Sequence, residues 1–319
     1  MTAPGAQIRT HRWDEWQADE LVAAKAGRRV SVVLPARDEA ATVGPIVERI
    51  RRDLVETVPL VDELVVIDSD SADATAAHAA AAGARVHAAG QIRPELGPAT
   101  GKGEALWKSL FVTTGELIVF IDTDLTEWGT QFVTGLLGPL LTDDDVSLVK
   151  ACYHRPLESR HPADLEEGGG RVTELVARPL LTLGWPELTD VIQPLAGEWA
   201  VRRDLLETLP MPTGYGVEIA VLIDTATRLG PSAIAQVDLG SRAHRHHGNR
   251  ALGVMALQVM AAAERRRGAE PPELVDLHQF SLATDEIEET VRHVSVLERP
   301  AAVTIPGYAA GTRDAGGAP

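Results

Sequence analysis

Cysteine is almost missing: Cys152 is the single one in 319 residues. No disulfide can form within the chain, and no multi-cysteine metal site can be built. Aromatic residues make up only 4%. Alanine is abundant, so helices are expected to pack closely on small side chains. Positive charge is outweighed, with 30 Lys and Arg against 46 Asp and Glu, a formal net charge of −16. That balance argues against nucleic acid or an anionic membrane as a partner. No apolar run approaches the ~18 residues of a membrane span. The polar opening through Trp16 has no apolar leader core. A cytoplasmic protein is the expectation. Hydrophobic residues reach 45%, enough for a large core, and the length suits one large α/β domain or two small ones.

Short apolar runs alternate with helical patterns. Val30-Ser31-Val32-Val33-Leu34, Leu64-Val65-Val66-Ile67 and Ala84-Arg85-Val86-His87 read as strands, with helices over 41–57 and 74–82 between them. This β-α-β-α-β order predicts a parallel sheet with helices on both faces. Pro35 lacks the N–H of a central strand, so the chain should turn there. Further strands are expected at 117–121, 146–150 and, last, 233–237. Further helices are expected at 105–113, 130–141, 172–183, 203–209, 214–228 and 251–266. The last of these suits a core position or a contact between two copies of the chain. Residues 1–29, with Trp13 and Trp16, read as an arm that packs on the body. Residues 155–169 read as a mobile loop, 270–300 as mixed and acidic, and the tail after Pro306 as disordered.

Candidate chemistry gathers where strands end. The run Leu117-Ile118-Val119-Phe120-Ile121 stops at Asp122-Thr123-Asp124. Ligands of open α/β sheets bind beyond strand carboxyl ends, and residues two apart in an extended chain share a side. Two carboxylates there suit Mg²⁺ or Mn²⁺ on a substrate diphosphate; a helix cap beside a solvated neighbour is the other reading. Gly101-Lys102-Gly103-Glu104 lets backbone approach a ligand and adds a point charge, without the spacing of a Walker A loop; an exposed lysine at a helix start fits equally. Gly168-Gly169-Gly170-Arg171-Val172-Thr173 either exposes helix N–H groups to an anion or is a flexible linker. Glu218 falls in the first turn of a helix, where the dipole alone favours a carboxylate. Arg242-Ala243-His244-Arg245-His246-His247 is the densest cationic cluster in an acidic chain.

Together these segments resemble a known family. Ser31-Val32-Val33-Leu34-Pro35-Ala36, Asp122-Thr123-Asp124, the block Gly168-Gly169-Gly170-Arg171-Val172-Thr173-Glu174-Leu175-Val176-Ala177-Arg178-Pro179-Leu180, Gly214-Tyr215-Gly216-Val217-Glu218-Ile219 and Ala235-Gln236-Val237-Asp238-Leu239-Gly240 are similar to the actinobacterial glucosyl-3-phosphoglycerate synthases. The resemblance covers roughly residues 30–266. It implies an α/β fold of GT-A type, a mostly parallel Rossmann-like sheet flanked by helices with a smaller acceptor-binding C-terminal part. The implied divisions are an arm at 1–29, a nucleotide-sugar half at 30–154, an acceptor half at 155–266 and an extension at 267–319. The implied reaction moves glucose from UDP-glucose to the 2-hydroxyl of 3-phosphoglycerate with Mg²⁺ or Mn²⁺ and retention of configuration, in a homodimer.

Residue roles follow from the resemblance alone. Pro35, Ala36, Glu39 and Ser69 would form the uridine and ribose pocket. Lys102, Thr123, Arg242 and His247 would serve the donor. Asp124 and His244 would hold the metal, with Asp122 on the ribose or sugar side. Gly170, Arg171, Val172, Thr173 and His246 would bind the acceptor. Leu195, Tyr215 and Glu218 would wall the glucose, and Glu218, Leu195 and Asp122 would lie at the chemistry. Retention implies either a carboxylate nucleophile, for which Glu218 is the candidate, or attack on the same face with Glu218 positioning the sugar. Two departures stand out. The family reads Ala-Leu-Asn-Glu where this chain has Ala36-Arg37-Asp38-Glu39, and Arg-x-His-Arg-Asn-Arg where it has Arg242-Ala243-His244-Arg245-His246-His247. Rival readings are a transferase with a mannose or GDP donor or a polyprenyl-phosphate acceptor, a nucleotidyltransferase, and a non-catalytic sugar-nucleotide sensor.

Overall fold

The computed structural model describes residues 8–154, 170–241, 249–283 and 286–308. The expected loop at 155–169, Gly168 and Gly169 with it, lies outside them. So do Arg242, His244, Arg245, His246 and His247, and the tail from 309.

The strands are β1 (Arg9–Arg12), β2 (Val30–Ala36), β3 (Glu63–Asp68), β4 (Arg85–Ala88), β5 (Leu117–Phe120), β6 (Leu148–His154), β7 (Trp199–Arg202), β8 (Met211–Pro212), β9 (Ile234–Ser241), β10 (Leu274–Ala283), β11 (Glu286–Ser295) and β12 (Glu298–Arg299). Among the described residues, eight of them form one sheet in the order β1-β9-β6-β7-β5-β2-β3-β4. Its neighbours run parallel, except that β7 is antiparallel to β5 and β6. The mostly parallel sheet expected from the alternation is therefore observed. The helices are α1 (Ala18–Lys25), α2 (Val43–Ile50), α3 (Thr75–Ala81), α4 (Lys102–Ser109), α5 (Gln131–Thr142), α6 (Arg178–Gly184), α7 (Arg203–Leu206), α8 (Val217–Leu229) and α9 (Asn249–Arg266).

Strand side chains alternate between two cores, one on each face of the sheet. Val33, Ile118, Phe120 and Trp199 face the core shared with α4 and α8. Val32, Leu34, Val119 and Ala200 face the core shared with α2 and α5. Helix α2 shows why such segments coil: Val43, Ile46, Val47 and Ile50 recur at helical spacing and are all buried.

Three expectations change. The chain does not turn at Pro35, because β2 continues to Ala36. Ala36 O accepts from Ser69 N at 2.9 Å on the β3 side. Pro35 faces the β5 side, where pairing has ended at Val33–Phe120, so its missing N–H leaves no bond unmade. Second, the arm does more than pack. Trp16 sits against Gly138 of α5, and β1 extends the sheet by pairing with β9.

Third, strand 233–237 is not the last. Beyond α9, β10 and β11 form a ten-residue-per-strand hairpin, and α9 lies between it and α8. The chain then returns to the body. Thr213 N donates to Leu297 O at 2.9 Å, Arg299 pairs with Glu104 of α4, and Trp107 Nε1 donates to Pro300 O at 2.8 Å. Tyr308, beyond Pro306, is buried and its hydroxyl donates to Glu207. No helix among the described residues is long and apolar enough to cross a membrane.

Candidate active site

Three segments far apart in sequence meet at one lysine. Lys102 begins α4, Asp122 lies two residues past β5, and Glu218 is in the first turn of α8. Lys102 Nζ is 2.6 Å from Asp122 Oδ1 and 3.0 Å from Glu218 Oε1. Burial alone would lower the lysine's pKa. The charges of Asp122 and then Glu218 outweigh it, so the ammonium is held above its ordinary value. Tyr215, 41% exposed, stands in the same field. Burial raises its hydroxyl pKa, Lys102 opposes that, and Asp122, Glu218 and Asp124 add to it.

Local geometry sets the two aspartates apart from Thr123. The Thr123 hydroxyl turns back to donate to Pro35 O at 2.9 Å and the residue is buried. Asp122 and Asp124 remain half-exposed beside the strand end. The close approach that Gly101 and Gly103 allow in this structure is to the protein's own backbone. A Cβ at either would collide with the carbonyl of Thr213 or Pro212, and Gly101 sits at φ +127°. They let the start of α4 nest on 212–214, which aims Lys102 at the two carboxylates. A residue missed in the sequence is Gly197, where a Cβ would strike the Asp122 carboxylate and the Lys102 ammonium. Its signal was present in Pro194-Leu195-Ala196-Gly197-Glu198. Leu195 of that turn is partly buried against the α8-side core.

A second group lies at the ends of β2 and β3. Pro35, Ala36 and Ser69 are brought side by side by the register of these strands. Glu39 N donates to Thr75 Oγ1 at 2.8 Å, Asp38 N to Ser71 Oγ at 2.9 Å and Ala72 N to Asp38 Oδ1 at 2.7 Å. The two loops are thereby joined. Asp38 adopts φ +56°, a left-handed conformation that Asn and Asp tolerate best among side-chain-bearing residues. That explains an Asp where the family pattern has Asn. A third group opens the segment before α6: Gly170 O accepts from Glu174 N at 3.0 Å, Arg171 is exposed, Val172 half-buried and Thr173 buried. This segment packs on α9.

The described residues hold no cluster of three or more His, Cys, Asp or Glu suited to a metal. One carboxylate at a strand end, completed by diphosphate oxygens, is nevertheless a donor set that fits Mg²⁺ or Mn²⁺. Asp124 offers that carboxylate.

The sheet thus brings a strand-end carboxylate, Asp122, and a helix-start carboxylate, Glu218, onto one ammonium, and the class of protein is a glycosyltransferase. The model of the family described as Glycosyl transferase family 2 matches residues 31–209, and the chain belongs to this family. More particular likenesses follow. The chain is 50% identical to the glucosyl-3-phosphoglycerate synthase of Mycolicibacterium smegmatis over 92% of this chain and 96% of that protein. It is also similar to the crystal structure of glucosyl-3-phosphoglycerate synthase from Mycobacterium tuberculosis in complex with Mn²⁺, UDP-glucose and phosphoglyceric acid, with TM-score 0.82 and 47% identity, covering 95% of this chain and 99% of that one. A second structure of that enzyme, with Mg²⁺ and UDP, matches with TM-score 0.82 and 46% identity, covering 92% and 98%. The resemblance read from the motifs is borne out, and it extends past residues 30–266 into both flanks.

Proposed function

We propose that the protein transfers glucose from UDP-glucose to the 2-hydroxyl of 3-phosphoglycerate, giving glucosyl-3-phosphoglycerate. The observation that carries this reading is the Lys102–Asp122–Glu218 centre at the mouth of the sheet, in a chain half-identical to synthases of that product. The ends of β2 and β3, with Pro35, Ala36, Glu39 and Ser69, take the uridine and ribose. Lys102 presents its ammonium to the donor, and Asp122 and Glu218 orient it and the sugar hydroxyls. Asp124, with His244, would hold Mg²⁺ or Mn²⁺, which when bound offsets charge gathering on the departing diphosphate. Gly170, Arg171, Val172 and Thr173 take the acceptor's phosphate and carboxylate, with the helix start supplying N–H groups. Glu218 is tied to Lys102, which supports positioning of the sugar and attack on the same face over a nucleophilic role.

In this reading residues 30–154 serve the donor and 155–266 the acceptor, while 1–29 and 267–319 flank them. Both substrates are intracellular metabolites, which supports a cytoplasmic location. A homodimer is part of the reading. Leu274, Phe280, Leu282, Ile287 and Val291 are exposed and share the hairpin face turned away from α9. Contiguous apolar surface of this kind suits a second copy.

The test offers UDP-glucose, GDP-glucose, UDP-mannose and GDP-mannose with 3-phosphoglycerate, glycerate or a polyprenyl phosphate, and reads product by mass. A glucosyl-phosphoglycerate product from UDP-glucose is expected. Turnover with another pair alone would overturn the assignment and implicate His246 and His247. Binding of UDP-glucose without turnover would favour a sensor.

A further inference from the structure

Behind the centre, a row of buried polar side chains crosses the sheet at one level. Register pairs Lys150 of β6 with Trp199 of β7 on one side and with Gln236 of β9 on the other, and Gln236 with Thr10 of β1. Lys150 and Gln236 are 1% and 2% exposed. A mostly parallel sheet normally fills such positions with apolar residues. Here the Lys150 ammonium and the Gln236 amide each have a task. Lys150 Nζ donates to Ala196 O at 2.6 Å. Gln236 Oε1 accepts from Ile192 N at 2.9 Å, and Gln236 Nε2 donates to Asp190 O at 3.0 Å and to Thr10 Oγ1 at 2.9 Å. Gln193 Nε2 adds a bond to Tyr153 O at 2.6 Å. Three of these bonds end on backbone of Asp190, Ile192 and Ala196, in the turn that carries Leu195 and presses Gly197 against Asp122 and Lys102.

We propose that Lys150, seconded by Gln236, is a positioning residue for the transfer: it fixes the 190–197 turn so that Leu195 and Gly197 stay packed on the Lys102–Asp122–Glu218 centre. The proposal rests on the glucosyl-transfer reading above. A neutral donor would have made the same bond to Ala196 O without the cost of burying a charge. Burial pulls the Lys150 pKa down to about 8; Glu218, Glu198 and Asp122 offset part of that cost, with Lys102 opposing them. Trp199, 5.8 Å from the ammonium, closes the other side. The bond from Lys150 to Ala196 O thus sets the position of the turn in front.

The experiment compares wild type with Lys150→Met and Lys150→Gln. Three quantities are measured: kcat and the KM of each substrate, thermal midpoint, and amide exchange of peptides covering 190–198. Displacing a positioning group by about 1 Å costs on the order of 100-fold in rate. Lys150→Met should therefore lose about that in kcat, keep the donor KM within a few-fold, show faster exchange in 190–198, and melt no lower than wild type. Lys150→Gln should restore part of kcat through its amide donor, and it carries the test if the Met variant does not fold. A kcat near wild type in the folded Met variant, a Gln variant no faster than the Met variant, or a midpoint that falls while kcat holds, would overturn the proposal; if only the Gln variant folds, a kcat that does not track its exchange in 190–198 would overturn it. If wild type itself transfers no glucose, the reaction reading fails; the inference then stands or falls on exchange, unchanged protection of 190–198 being the outcome against it.

Discussion

Lys102 stands between two carboxylates, and two residues further along the same helix Glu104 stands between two cations. The second cluster is closed. Arg299 grips Glu104 with two bonds of 2.9 Å and also donates to Leu96 O and Gly97 O, while Lys108 lies 3.3 Å from Glu104 and donates to Ala89 O. Side-chain exposures there are 2%, 9% and 3%. In the first cluster, Lys102 and Asp122 keep 16% and 20%. One turn of helix therefore carries a finished ionic knot, sealed from water, and a second that stays open to solvent. The finished knot anchors α4 to the far end of the chain. The other keeps a face to solvent, which is what a ligand-binding centre requires.

Four changes test that contrast. Arg299→Met should destabilise most, by about 3–5 kcal/mol in denaturant titration, because it leaves Glu104 with a broken buried pair. The transfer rate per folded molecule should hold; a fall in kcat without loss of stability would erase the distinction between the clusters. Lys102→Met should cost roughly 100- to 1000-fold in kcat by product mass, with a smaller fall in stability than Arg299→Met because its cluster is more open to solvent. Gly197→Ala, whose methyl would push into Asp122 and Lys102, should cost about 10- to 100-fold; wild-type turnover would show that the centre is loose.

The smallest effect is a matter of pH. Lys150 has a folded pKa near 8, below its ordinary 10.5. Its burial cost is complete at pH 7, where folded and unfolded states are both protonated. Above pH 8 the folded state alone sheds the proton, so wild type gains stability as pH climbs toward 10.5. Lys150→Met should melt at or above wild type at pH 7, by up to roughly 2–4 °C, and the gap should close between pH 8 and 10 in scanning calorimetry.

The contrast also marks what a sequence reveals. The parallel strands were legible because Leu64–Ile67 and the run before Asp122 are unbroken apolar segments, and Val30–Leu34 is broken only by Ser31, so that a doubly covered sheet can bury all three. Asp122, Lys102 and Glu218 were legible as strand-end and helix-start groups, and the fold brings those three together. Nothing local tells Lys102 from Lys108 or from Glu104's partner, because their roles depend on residues up to 195 positions away. Lys150 read as the polar end of a strand; β6 in fact runs on to His154, which puts the lysine in the interior and hands it Ala196 O. The β10–β11 hairpin escaped for another reason. Val275 and Leu277 face α9, but Phe280, Leu282 and Ile287 face outward, so the usual alternation of apolar and polar faces is blurred.

The pairing of Glu104 with Arg299 also sets a clock. Synthesis proceeds at about 5–20 residues per second, and 195 residues separate the partners, so the carboxylate waits roughly 10–40 s for its guanidinium. Until then the helix that carries Lys102 holds a charge it cannot bury with full partnership. The bond that seals the active-site helix to the closing strand is thus among the last that synthesis makes available.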